Sequence, residues 1–164
     1  MIILGIDPGS HVTGYGVIAV QGQKMKHIDN GGIITSPKIQ LSDRLHHIYT
    51  QVSQIIQKYG PEVLALEDIF MAKNARSAMI LGHARGAIMI AAKQANLPIE
   101  EYTARQVKQA VVGHGNAAKE QIQHMTRALL SLPEIAMEDA ADALAVAICH
   151  SQSYALKKRL KGTL

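Results

Sequence analysis

Tryptophan is absent from this 164-residue chain, and phenylalanine and cysteine occur once each. A lone cysteine, Cys149, excludes an internal disulfide and fits a reducing, cytoplasmic setting. No apolar stretch reaches the roughly 20 residues that a membrane-spanning helix needs, so no membrane partner is expected. The apolar run at the start is broken by Asp7 and has no basic segment before it, unlike a signal peptide. Eight histidines are present, but none pairs with cysteine at zinc spacing and no HExxH occurs. There is no linker rich in Ser, Gly or Pro, no repeat and no low-complexity tract. The expectation is a single domain over residues 1–164, with a basic tail from about residue 155.

What is present is an uneven charge. Residues 69–119 carry seven basic and two acidic side chains, whereas residues 120–156 carry one basic and five acidic ones. The tail adds Lys157, Lys158, Arg159 and Lys161. A basic middle segment suits a phosphate polymer, although an ordinary solvated surface has the same composition.

Hydrophobic periodicity orders the chain. Residues 2–7, 13–20 and 27–35 read as three strands of an antiparallel meander. Leu41, Leu45, Ile48, Val52, Ile55, Ile56 and Tyr59 follow a helical period that Gly60-Pro61 ends. Residues 63–67 form a buried strand, 77–96 a helix rich in small residues and 98–102 a fifth strand. Thr103 and Gln106 form a capping box for a short helix. Asn116 is expected to cap the next helix, which runs to Leu130, and a last helix runs from about Glu138 to Tyr154. Meander followed by alternating helix and strand predicts an α/β fold, a mixed five-stranded sheet with helices on both faces.

Three charges sit where charges are costly. Asp7 closes the buried run Ile2-Ile3-Leu4-Gly5-Ile6 ahead of a Pro-Gly turn. A metal ion, a phosphate-bearing substrate or the turn's own N–H groups would each account for it. Glu67 ends the buried strand 63–67, on the face of Val63 and Ala65, with Asp68 on the opposite face. Asp142 is the single charge within the apolar stretch 140–149, and Asp139 lies three residues earlier on the same helix face. Asp139 alone also reads as an acid complementing a helix N-terminus. No buried lysine or arginine is placed near these acids by any pattern. Converging carboxylates without Cys or paired His select Mg²⁺ or Mn²⁺. Four of them suffice for two ions about 4 Å apart, the arrangement that hydrolyses phosphodiesters.

Four segments then carry a resemblance. They are Gly5-Ile-Asp-Pro-Gly-Ser10 with Thr13-Gly-Tyr-Gly-Val17, the stretch 67–74 (Glu-Asp-Ile-Phe-Met-Ala-Lys-Asn), the stretch 104–113 around Arg105, Lys108 and Gly113, and Asp139-Ala-Ala-Asp142-Ala-Leu-Ala. In this order and spacing, from about residue 2 to 150, they resemble the RuvC family of crossover (Holliday) junction endodeoxyribonucleases. The resemblance implies a ribonuclease-H-like fold, a homodimer, and Mg²⁺-dependent symmetric nicking of four-way DNA junctions in recombination and repair. It implies ligatable 5′-phosphate and 3′-hydroxyl ends, a thymine-containing cleavage core, and a branch-migration complex (RuvA and RuvB) as partner. Asp7, Glu67, Asp139 and Asp142 match the family's catalytic and metal-binding acids, and Asp139 stands where some members have histidine. Asp68 stands where relatives often have a neutral residue, and the tail after about residue 150 matches poorly.

The basic segment supplies the expected DNA contacts. Phe70, a core residue on composition alone, matches the aromatic that the family stacks on opened bases; Lys73, Asn74 and Arg76 follow it. Arg105 and Lys108 share a face of the short capped helix, and Lys119 lies in the first turn of the next one, just after Gly113-His114-Gly115. For these residues a solvated helix face is the competing account, and His114 stays unassigned. Gly82 and Gly86, one turn apart, suggest close helix approach, either to the sheet or to a second subunit. Two other functions fit parts of the pattern. A non-catalytic junction binder would gain nothing from four acids that repel phosphate. A phosphotransferase of the actin and sugar-kinase type shares the Asp-x-Gly hairpin but needs a second such domain.

Overall fold

The computed structural model describes residues 1–9, 11–68 and 74–161. Strands β1 (Ile2–Asp7), β2 (Val12–Gln21) and β3 (Lys24–Ile34) form the antiparallel meander. β3 begins three residues earlier than the alternation suggested. Gly22 takes up the left-handed conformation at φ 62°, and Lys24 pairs with Gln21 straight after the turn. Helix α1 (Leu41–Tyr59) stops at Gly60, also left-handed, as its Gly-Pro signal required. β4 (Val63–Asp68) then runs parallel to β1, and β5 (Ile99–Thr103) parallel to β4, giving the order β3-β2-β1-β4-β5. This is the expected mixed five-stranded sheet.

Alternation along the strands divides the core into two layers. Leu4, Ile6, Leu64 and Leu66 pack on α1 and on α2 (Ala75–Gln94) through Ile48, Val52, Ala84 and Ile88. On the other face Ile3, Val63 and Ala65 pack on α3 (Ala104–Val112), α4 (Lys119–Leu130) and α5 (Glu138–Lys161). Burying one Leu, Ile or Val side chain is worth about 1.5–3 kcal/mol, and such residues, with alanines between them, make up most of both layers.

Two helix ends differ from the sequence reading. α4 starts after Ala118, not after Asn116. Alanine has no acceptor to offer, and the Gln121 side chain instead accepts the Ala118 N–H at 2.9 Å. α5 continues through the basic tail to Lys161 rather than ending near Tyr154. No Gly or Pro interrupts it, and cations near a helix C-terminus complement the dipole.

What positions the acids is the fit of α5 on the sheet. Gly5, Gly14 and Gly16 line the sheet beneath it. A Cβ at Gly5 would stand 2.2 Å from the Ala143 carbonyl oxygen, and one at Gly14 would stand 1.9 Å from that of Asp139. At Gly16 it would meet the Leu144 side chain at 2.7 Å. No other residue leaves this space. The helix answers with Ala140, Ala143 and Ala147, all buried, so its backbone lies almost on the strands.

Candidate active site

β1 and β4 are parallel neighbours, with Ile6 opposite Leu66. The next residues, Asp7 and Glu67, therefore stand side by side at the same strand edge. Gly5 and Ala65 face α5, so by alternation both acids do as well. Their side chains share a hydrogen bond. Burial pushes the Asp7 carboxyl from its ordinary 3.8 up to about 9, and Glu67, then Asp142 and Asp139, add repulsion. Burial also raises Glu67; the bond from Asp7 opposes this, Asp142 adds to it, and the Lys119 and Lys108 ammonium groups oppose it. The pair is thus pushed toward the protonated form.

α5 brings the other two acids. Asp139 is half-buried in the first turn over Gly14, and Asp142 follows one turn later. Burial raises the Asp142 carboxyl, while Lys119 counteracts it. Lys119 Nζ lies 3.2 Å from Asp142 Oδ2 and is also bonded to the Glu138 carboxylate. Burial works against its ammonium, but Glu138 and Asp142 outweigh that and raise its pKa. The sequence reading put no buried cation near the acids; the structure brings in this lysine, which remains about half exposed, from the start of α4. A cleft of about 240 Å³ opens here, lined by Glu67, Asp142, Lys108 and Lys119 with Val107 and Ile122 at its base.

The donor set is oxygen only, which suits a hard divalent cation. Among the described residues no three His, Cys, Asp or Glu side chains already form a cage for one ion. Asp7 and Glu67 face each other across a hydrogen bond, and Asp142 pairs with Lys119.

Of the remaining expected residues that the structure describes, Lys108 alone lines the cleft. Phe70 and Lys73 lie outside the described residues. Asn74 Oδ1 accepts the Ser77 N–H at 2.9 Å and caps α2, so this side chain has a structural use. Arg76 is exposed in the first turn of α2. Arg105 is exposed on α3, its stem laid over Gly115, where a Cβ would come within 2.7 Å of Cγ. Lys108 is half-buried at the cleft. Asp68 does point away from the cluster, as alternation required, and lies 3.5 Å from Arg85 on α2. That pairing accounts for a carboxylate the sequence left without explanation. Gly82 and Gly86 do not pack on the sheet: among the described residues nothing comes within 4 Å of a Cβ at either. Glu138 and Arg85 were missed, because each acts across elements far apart in sequence.

A mixed sheet in this order, with acids on the ends of two parallel strands and on the helix crossing them, defines a ribonuclease-H-like nuclease. The chain belongs to the family of the crossover junction endodeoxyribonuclease RuvC, whose sequence model matches residues 3–150. It is thereby an endodeoxyribonuclease of a metal-dependent nuclease family. It is 59% identical to the crossover junction endodeoxyribonuclease RuvC of Geobacter sp. (strain M21), over 99% of both chains. It is 57% identical to that of Syntrophotalea carbinolica, over 98% of this chain and 99% of the relative. The structure of Thermus thermophilus RuvC in complex with a Holliday junction substrate superposes with a TM-score of 0.91 at 36% identity, covering 96% of each chain. The yeast mitochondrial Holliday junction resolvase shares the fold alone, with a TM-score of 0.66 at 13% identity, over 99% of this chain and 86% of that one. Family membership sets aside the phosphotransferase alternative. No helix among the described residues is long and apolar enough to cross a membrane.

Proposed function

We propose that the chain resolves four-way DNA junctions by Mg²⁺-dependent paired nicks in recombination and repair, leaving 5′-phosphate and 3′-hydroxyl ends. The observation that carries the proposal is the pairing of Asp7 and Glu67 on adjacent strand ends beneath Asp139 and Asp142, at a cleft edged by lysines. The four acids would hold two Mg²⁺ (or Mn²⁺) ions. Bound there, the ions would supply an activated water and offset charge on the leaving oxygen.

The chain's own residues do the rest. Asp7 would hold such an ion in its ionised form, since a cation beside it would offset both the burial and the neighbouring carboxylates that raise its pKa. With Asp142 engaged by an ion, Lys119 would be free to meet phosphate while Glu138 keeps it beside the cleft. Lys108, Arg105 and Arg76 extend the positive rim, and each phosphate they meet makes binding more sensitive to salt. Phe70, Lys73 and Asn74 complete the proposed DNA contacts on the family match.

A homodimer suits the two-fold substrate. Met79, Gly82, His83, Gly86 and Ile90 recur along one stripe of α2, and Met79 and Ile90 remain 64% and 58% exposed. An apolar, glycine-bearing stripe of this kind fits a second copy. Partnership with RuvA and RuvB, and a cytoplasmic site of action, rest on family membership.

The test is cleavage of a mobile four-way junction with Mg²⁺ and with EDTA. The wild type is expected to nick symmetrically only with metal, and Asp7→Asn to bind without cutting. A wild type that leaves junctions intact with Mg²⁺ and Mn²⁺ across several junction sequences would overturn the proposal.

A further inference from the structure

The strand edge that presents Glu67 is held from behind by one arginine. Arg85 lies on α2, on the opposite side of the sheet from the cleft. Its Nη1 donates to the backbone carbonyl of Glu67 at 2.7 Å and lies 3.5 Å from Asp68 Oδ1. Its Nη2 bonds the Glu101 carboxylate on β5. The side chain is only 16% exposed, against 43% for Asp68 and 41% for Glu101. Register explains why one guanidinium reaches all three. Asp68 and Glu101 lie on adjacent parallel strands and share the α2 face, and the Glu67 carbonyl is the next main-chain acceptor beside Asp68. The planar fork of arginine supplies several donors in fixed directions, so the three contacts fix one another.

From this geometry we infer that Arg85 is a positioning residue for the nuclease site. By fixing the main chain of Glu67 from the far face, it sets where the Glu67 carboxylate stands beside Asp7. Asp68 and Glu101 orient Arg85 and balance its charge. The inference rests on the proposed role of Glu67 and adds a residue that touches neither DNA nor metal. Its reach is short: the guanidinium holds one carbonyl, and the carboxylate it steers is on the same residue. Lysine is a poor substitute, because a single ammonium at the end of a flexible stem does not span the carbonyl and both carboxylates with fixed geometry.

The experiment compares wild type, Arg85→Ala, Arg85→Lys and Glu101→Gln in four measurements. These are melting temperature in EDTA, the rise in melting temperature on adding Mg²⁺ or Mn²⁺, junction affinity in EDTA, and cleavage rate at saturating junction across a Mg²⁺ titration. Loss of a group that orients a ligand typically costs about 10- to 100-fold in metal affinity or activity. For Arg85→Ala the saturating rate is expected to fall by about that factor. The Mg²⁺ midpoint should rise and the metal-induced thermal shift shrink, with junction affinity in EDTA within about threefold of wild type. Arg85→Lys should recover part of the rate, and Glu101→Gln should lose less than Arg85→Ala.

A folded Arg85→Ala with wild-type rate, midpoint and thermal shift overturns the inference. So does a rate loss fully matched by loss of junction affinity, since Arg85 would then serve binding. If Arg85→Ala does not fold, Glu101→Gln decides: an unchanged Mg²⁺ midpoint and thermal shift overturns the inference, and a raised midpoint with a smaller shift supports it. A wild type inert with every metal would instead refute the proposed function, so the two failures are distinguishable.

Discussion

Helices α5 and α2 look alike in sequence and end up in opposite circumstances. Both are long, rich in alanine, and lie on opposite faces of the same sheet. α5 is buried all round over most of residues 140–149, its backbone seated on Gly5, Gly14 and Gly16. α2 buries Ala84, Ile88, Ala91 and Ala92 and leaves its own glycines facing open space. The difference is where the glycines are. In the strands under a helix they let it sink in; on the outer side of a helix they leave a surface into which another backbone fits. Small-residue composition therefore predicts close approach without saying to what.

The comparison breaks most sharply at Gly5. In Gly5→Ala the new Cβ meets backbone that cannot turn aside, and overpacking of this kind costs about 1–3 kcal/mol. Urea unfolding should show that loss. Cleavage should fall further than stability alone explains, because Asp139 and Asp142 ride on the displaced helix. Wild-type cleavage by a folded Gly5→Ala would mean the depth of α5 is immaterial.

Next comes pH, whose largest effect falls on the α5 side. Unfolded, Asp7 titrates near its ordinary 3.8, and folded near 9, so between those values the folded chain holds a proton the unfolded chain has lost. The stability this group contributes is full below about 4 and disappears as pH rises toward 9. Urea midpoints in EDTA should decline across that range. The decline should be much weaker in Asp7→Asn, and Mg²⁺ should add more stability at higher pH. A flat profile in EDTA would show that the crowding is relieved some other way.

On the α2 side, Gly82→Ala meets nothing within 4 Å and should stabilise the helix by about 0.5–1 kcal/mol. If the stripe faces a second copy, the same change weakens the dimer, and sedimentation at falling concentration would show both effects. The smallest effect is at the far end of α5. Lys157 pairs with Glu100 at 3.3 Å, but both are exposed, so Lys157→Ala should cost about 0–1 kcal/mol in thermal unfolding.

Much of this was legible because the relevant physics is local. Asp7 and Glu67 announce themselves at the ends of apolar runs, and Asp142 is the single charge in an apolar helix. Strand alternation correctly sent Asp68 to the other face. What was not legible depends on pairs far apart in the chain. Lys119 meets Asp142, and Arg85 meets the Glu67 carbonyl, only after the sheet has assembled. Asn116 misled because a good capping residue two positions early outranks Ala118 on propensity, while the site there is satisfied by Gln121 instead. The tail was read as charge alone; its helicity follows from the absence of any stop signal.

The placement of α5 also sets an order of events during synthesis. Asp7 and Glu67 leave the ribosome early, whereas their partners at 139 and 142 belong to the last helix described. Until that helix docks into the glycine trough, a nascent chain holds half a constellation. If the four acids are the set proposed above, competence for cleavage would arrive in one late step, with the docking of α5.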